Sequence, residues 1–254
     1  MRVTPNHPPL PAVGHIDVHS HLLPRIDDGC ATIDESIECI RQLMAAGFAG
    51  SVCTPHFCRE TNSHITREAI DGALAGLSER VAEEGIDYRL WPGGEVRLAR
   101  STIPWFEEVG VPTLGAGRSV LVDFWGMTWS DYASDICRYL IERGYQVIVA
   151  HPERMNLVLP SRDEVIESLG AMGVTFQGNL NSLTGGEGAE AGDVSARLLA
   201  ENRYDLLATD VHGPVGLARR IEGIAVAERL VGPKRLAALL DERPREILSA
   251  ATHP

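Results

Sequence analysis

The residues best able to do chemistry in this chain are histidines and carboxylates, and they fall in short groups. Five of the nine histidines stand at or just beyond the end of an apolar run: His19, His21, His56, His151 and His212. Asp27-Asp28-Gly29 follows the first of these runs, Glu95 closes Gly93-Gly94-Glu95, Asp123 ends VLVD, and Asp210 stands two residues before His212. Side chains two apart in an extended segment share a face, so His19 with His21, and Asp210 with His212, each present two donors to one side. Neutral imidazole suits zinc, iron, manganese or nickel, and carboxylate adds preference for manganese and magnesium. The mixed set points to manganese, iron or zinc. A lone H-x-H is ordinary strand-end polarity. The weight lies in the joint placement, because H-x-H, D-D-G, T-P-H, G-G-E, A-H-P-E-R and D-x-H each follow a different apolar run.

Such groups can meet only if the runs are strands of one sheet with their ends on one face. The apolar runs read as strands at 15–19, 51–54, 88–91, 120–124, 146–150, 174–178 and 205–209. Between them lie patterns of helical period, such as Ile33, Ile37, Ile40 and Met44, or Ile70, Leu74, Leu77 and Val81. Thr32 with Glu35, and Ser161 with Glu164, have the spacing of capping boxes, and Pro233 and Pro244 suit the first turns of C-terminal helices. The alternation predicts βα units with parallel pairing, in an α/β fold of a single domain. Seven strands are one fewer than a regular eight-stranded barrel has, and a parallel barrel gathers strand C-terminal ends on the face where active sites lie.

With 254 residues, 44% hydrophobic and 23% charged, the chain is long enough for one large core and has an ordinary globular composition. A net charge of −12 repels nucleic acid. It leaves room for a phosphorylated substrate, because bound cations reverse the local field. No apolar run approaches the roughly 18 residues that span a bilayer, so no membrane insertion is expected. Residues 1–14 carry four prolines and no signal-peptide core, and read as a flexible leader before a domain at 15–254, in a cytoplasmic protein. The five cysteines form no C-x-x-C pair and read as reduced thiols. Gly185-Gly186-Glu187-Gly188 lacks the ending of a phosphate-binding P-loop and reads as a turn.

These motifs, in this order, resemble the PHP (polymerase and histidinol phosphatase) superfamily. Within it the chain is most similar to the bacterial protein-tyrosine phosphatases of capsule and exopolysaccharide systems. The resemblance runs through HIDVHSHLLPRIDDG (15–29), CTPH (53–56), GGE (93–95), LVDF (121–124), AHPER (150–154), QGNLNSLTGGEG (177–188) and ATDVH (208–212). It implies a distorted (β/α)₇ barrel with two or three divalent cations, manganese first and iron or zinc as alternatives. It also implies a ligand set. His19, His21, Asp210 and Glu95 would hold one ion, Glu95 would bridge to a second completed by Asp123 and His151, and Asp28, His56 and His212 would hold the third. Asp123 stands where the family has Glu, one methylene longer. Arg154 matches the family's phosphate-contacting arginine, and Arg219 or Arg220 is the candidate for a second. The implied substrate is a phosphotyrosine protein, the tail of a bacterial tyrosine kinase of polysaccharide export, or else a small molecule such as histidinol phosphate or a phospho-sugar.

Four carboxylates against two or three dications leave such a site neutral or positive before it takes phosphate, and water activated by the ions needs no protein nucleophile. A different chemistry is written at Cys53 to Arg59, which fits C-x₅-R, the spacing of cysteine-dependent phosphatases. Pro55 lacks an N–H and the stretch has no glycine, so it makes a poor phosphate cradle. The aromatic segment 124–129 could wall a phenyl ring or pack the core.

Overall fold

A computed structural model describes residues 8–249, so the first seven residues of the leader lie outside the described residues. Its strands are β1 (His15–Ser20), β2 (Phe48–Cys53), β3 (His56–Phe57), β4 (Arg89–Pro92), β5 (Glu95–Arg97), β6 (Ser119–Asp123), β7 (Gln146–Ala150), β8 (Thr175–Asn179) and β9 (Leu206–Ala208). The helices are α1 (Ile33–Ala45), α2 (Arg59–Asn62), α3 (Arg67–Glu83), α4 (Thr102–Val109), α5 (Asp131–Glu142), α6 (Arg162–Ala171), α7 (Leu180–Leu183), α8 (Ala189–Ala200), α9 (Leu217–Ala237) and α10 (Arg243–Ser249). Every strand pair is parallel, in two runs: β1-β2-β4 and β3-β5-β6-β7-β8-β9.

Thr54-Pro55 interrupts one strand line into β2 and β3, and Gly93-Gly94 interrupts the next into β4 and β5. Counted as lines, the described residues hold seven parallel strands. At the other edge the end of β9 meets β1: Asp210 N donates to His19 O at 2.9 Å and His21 N to Val211 O at 2.8 Å. These bonds bring the first and last strand lines together just below the cluster of histidines. Asp17 adds a side-chain tie, accepting from Thr209 N at 3.0 Å and from the Thr209 hydroxyl.

Alternation along the strands sorts the apolar side chains into two cores. One lies within the sheet's curvature: Ile16, Val18, Val52, Trp91, Leu121, Ile148, Ala150, Leu206 and Ala208, closed from below by Leu114, Ile247 and Leu248. The other lies between sheet and helices. There α1 buries Ile37, Ile40 and Leu43, and α5 buries Ala133, Ile136, Cys137 and Leu140, each at helical spacing. Burying one such aliphatic side chain contributes about 1.5–3 kcal/mol, which is what holds the helices against the strands.

One of the two expected capping boxes forms in full, Ser161 with Glu164. At the other, Thr32 accepts from Glu35 N, but the Glu35 carboxylate accepts from Ala31 N at 2.7 Å instead of from the Thr32 backbone. Gly232 breaks the helical run of α9 with φ 78°, and Pro233 restarts it. Several strands are displaced by one to three residues from the sequence expectation, most at β2, which begins at Phe48. Helix α4, with Ile103 and Pro104 in its first turn, has no clear periodicity and was not expected. The described part of the leader is tied down rather than loose. Trp91 Nε1 donates to Pro8 O at 3.2 Å, Arg245 reaches the carbonyls of Pro11 and Gly14, and Leu10 packs on the inner core. No helix among the described residues is long and apolar enough to cross a membrane.

Candidate metal centre

The strand ends bring all nine expected ligand residues to one place. His19 and His21 come from the end of β1, His56 and Glu95 from β3 and β5, Asp123 and His151 from β6 and β7, and Asp210 and His212 from just beyond β9. Asp28 arrives on the loop after β1. That loop can fold back only because position 29 is glycine: a Cβ there would lie 2.2 Å from His21 O. Three groups place ligand atoms within 4.8 Å of one another: His19, His21 and Glu95; Glu95, Asp123 and His151; and His21, Asp28, His56 and His212. Asp210 Oδ1 joins the first, 3.3 Å from His19 Nε2 and 3.4 Å from His21 Nε2.

The donor set fits cations on several counts. The Nε2 atoms of His19 and His21 face each other at 3.3 Å. Two nitrogens each about 2.1 Å from one ion at a near-tetrahedral angle would stand at about this separation. Both rings have Nδ1 occupied, by Gln177 Oε1 at 2.8 Å and Asp27 Oδ2 at 2.7 Å, which leaves Nε2 pointing inward. Partners of this kind fix tautomer and orientation in metal sites. His212 is turned the same way, with Nδ1 2.9 Å from Asp210 O and its ring stacked on His21 at 3.9 Å. Glu95 sits centrally and buried, its Oε1 2.9 Å from His151 Nε2 and its Oε2 2.8 Å from His56 Nδ1. That Oε2 makes no well-aligned hydrogen bond despite burial and is balanced only by the charge of the imidazoles around it. A buried carboxylate is costly unless cationic groups or a metal ion neutralise it.

Backbone strain gathers here too. Among the described residues four non-glycine positions have positive φ, and two are ligand candidates, His151 at 31° and Asp210 at 52°. Pro152 constrains His151 further, because the residue before proline is pushed out of the right-handed helical region. Glu153 anchors the AHPER turn from beneath, accepting from Asn179 N at 2.9 Å and Tyr204 OH at 2.8 Å.

Electrostatically the cluster without ions is a set of coupled acids and bases. Burial disfavours the charged form of Glu95 and Asp210, yet the surrounding histidines, His19 first, hold both carboxyls well below their ordinary range. Burial also disfavours charged His56 and His151, but Asp28 and Glu95 raise His56 to about 10, and Asp123 and Glu95 raise His151 to about 9. Both imidazoles therefore carry protons at neutral pH until ions displace them. Loading with a dication at pH 7 should release protons, and apparent affinity should rise by at least about tenfold per pH unit between pH 6 and 8. Calorimetry in buffers of different ionisation enthalpy measures the release. A titration with no proton release would show that these histidines are not ligands.

Asp123 is short for its place. Its Oδ1 lies 3.8 Å from His151 Nδ1, and the Trp125 indole N–H donates to Oδ2. The aromatic segment divides its roles: Phe124 and Trp129 pack together at 4.7 Å, Phe124 in the outer core, while Trp125 is 55% exposed over the site. Clefts open on either side of it. One of about 470 Å³ is lined by His151, Arg154, Met127 and Asn156, and one of about 270 Å³ by His56, Thr61, Asn62 and Arg97.

Arg154 reaches the centre, with NH1 3.0 Å from Asp210 Oδ2 and Nε 3.5 Å from Glu187 Oε2. Arg220 donates to Thr209 O at 2.8 Å and lies 3.8 Å from Asp210 Oδ2, whereas the exposed Arg219 donates to Thr184 O. Arg220 is thus the one of the pair on the ligand side. Asp27, Gln177, Asn179 and Glu187 hold candidate ligands or Arg154 in place, and of these the sequence pointed only to Asp27, as part of D-D-G. The glycine-rich turn at 185–188 carries Glu187 into this network, where Asn181 Nδ2 also binds it at 2.6 Å.

The C-x₅-R alternative fails structurally. Cys53 is fully buried in β2, and burial pushes its thiol far above the usual range, while Arg59 pairs with Glu108 at 2.8 Å. All five cysteines are free and buried.

Parallel strands ending in a buried His–carboxylate cluster with room for more than one ion define a metal-dependent hydrolase of the barrel type. The chain belongs to the capsular polysaccharide synthesis CpsB/CapC family, whose model matches residues 15–249. It is 29% identical over 199 residues to tyrosine-protein phosphatase YwqE of Bacillus subtilis, covering 78% of this chain and 77% of that protein. It is 27% identical over 244 residues to tyrosine-protein phosphatase CpsB of Streptococcus agalactiae, covering 92% and 98%. Among solved structures it superposes with TM-score 0.82 and 27% identity on one from a study of YwqE from Bacillus subtilis and CpsB from Streptococcus pneumoniae, described as unique metal-dependent tyrosine phosphatases, over 93% of this chain and 95% of that one.

Proposed function

We propose that this chain is a metal-dependent protein-tyrosine phosphatase acting on a phosphorylated bacterial tyrosine kinase of polysaccharide export, with manganese as the resident ion. The observation that carries the reading is the convergence of nine ligand residues around the central Glu95. Divalent cations bound there supply Lewis-acid activation of water and of the phosphoryl group. The protein's own residues do the rest. Arg154 offers a two-pronged guanidinium to phosphoryl oxygens, and Arg220 adds positive charge beside it. Trp125 offers an apolar face beside the centre for an aryl ring. The similarity to named tyrosine phosphatases favours phosphotyrosine over histidinol phosphate.

The leaving group supports the same choice. Phenoxide leaves with a parent pKa of about 10, so departure needs no dedicated general acid. Turnover measured on a phosphotyrosine peptide, the same peptide with phosphoserine, and histidinol phosphate tests the reading. The phosphotyrosine peptide should be favoured. A preference for phosphoserine or histidinol phosphate would overturn the substrate while leaving the metal centre in place.

A further inference from the structure

The cleft on the His56 side of Trp125 holds a cation for which the proposed chemistry has no use. Arg97, the last residue of β5, lines it together with His56, Thr61, Asn62, Asp123 and Trp125. Its guanidinium lies over the Trp125 ring, 4.7 Å from the centroid. Among the described residues no carboxylate comes within ion-pair distance of it. Neighbouring Arg59, by contrast, is neutralised by Glu108. The carboxylates that share the cleft are committed elsewhere: Asp28 and Glu95 face His56 at 3.2 and 2.8 Å, and Asp123 accepts from Trp125. Thr61 donates to Asn62 Oδ1, which leaves the Asn62 amide N–H₂ as a further donor. A guanidinium stacked on an indole keeps its in-plane N–H groups free for an anion.

We propose that this cleft is a second anion subsite, in which Arg97 receives the carboxylate of an acidic residue flanking phosphotyrosine in a peptide substrate. The inference rests on the tyrosine reading above and deepens it. Trp125 is shared by both clefts, so a peptide whose phosphotyrosine enters beside Arg154 has its neighbouring residues crossing Trp125 toward Arg97. On a chain of net charge −12, most of the surface repels an acidic peptide. An unpaired arginine at the rim of the site is the local exception, and it selects substrates by their flanking charge.

The test compares phosphotyrosine peptides whose neighbours on both sides are Glu, or the isosteric Gln, or Lys. Wild type should favour Glu over Gln in kcat/KM by about three- to tenfold, the range of a partly exposed charge-assisted contact. Arg97→Gln should bring that ratio to about one, and Arg97→Glu should invert the order toward the Lys peptide. Arg97→Lys keeps the charge and should retain part of the preference; it stays informative if Arg97→Gln does not fold. A Glu to Gln ratio near one in wild type, or one unchanged across all three variants, would overturn the subsite. So would an equal loss on both peptides and on para-nitrophenyl phosphate, which would place Arg97 on the scissile phosphate instead. Failure of wild type to hydrolyse any phosphotyrosine peptide would remove the tyrosine reading itself, and the subsite with it.

Discussion

Chelation will abolish hydrolysis of a small aryl phosphate by several orders of magnitude, and manganese or a similar dication will restore it. The structure gives the reason in its unbalanced charges. Glu95 is buried between four histidines, and its Oε2 makes no well-aligned hydrogen bond with any of them. The Nε2 atoms of His19 and His21 and Asp210 Oδ1 all lie within 3.4 Å of one another. Without ions, protons on His56 and His151 offset the Glu95 charge, and the cluster offers no Lewis acid and no side chain placed as a nucleophile. Glu95→Gln removes the negative charge and one of the two oxygens that Glu95 offers to the groups, and should lose activity as deeply as chelation does, with a lower metal content by elemental analysis. Cys53→Ser serves as the control for the cysteine alternative. Activity that survives chelator and disappears in Cys53→Ser would refute the metal centre.

Arg154→Lys should retain its metals yet lose about 10²–10³ in kcat. Lysine keeps the charge but cannot span two phosphoryl oxygens with parallel N–H donors. The geometry makes the test selective. Arg154 approaches Asp210 Oδ2, while Asp210 Oδ1 faces the two histidines, so the arginine stands beside the ligand set without belonging to it. Metal content should therefore stay at the wild-type level while turnover falls. Arg220→Ala should cost less, because Arg220 lies 3.8 Å from Asp210 and is engaged with Thr209 O. An Arg154→Lys enzyme that turns over like wild type would make Arg154 a structural partner of Asp210 and Glu187 only.

The candidate site was legible in the chain because metal ligands are few in kind and lie at fixed places on a parallel sheet. Apolar runs set the strands, strand ends set the ligands, and parallel pairing sends the ends to one face. His19, His21, His56, Glu95, His151 and Asp210 can be named as candidates on that ground alone. The helices were legible where packing follows a clean 3.6 period, as in α1 and α5, and not in α4, whose apolar residues have no such spacing. Tertiary structure alone decided which neighbours hold those candidate ligands. Asp27, Gln177 and Asn179 act through hydrogen bonds across 6 to 158 residues of chain, and no local pattern encodes such distances. It also decided between Arg219 and Arg220, since adjacent residues on a helix point about 100° apart and the helix's rotation against β9 comes from packing. Trp125 and Arg97 are the sharpest case. Trp125 was legible in sequence only as part of an aromatic segment and Arg97 not at all, and the pairing of β5 with β6 is what lays one over the other beside the candidate metal centre. The sequence determined the chemistry because ligand identity is carried by single residues. The selectivity that surrounds it depends on contacts between strands, which exist only once the sheet has formed.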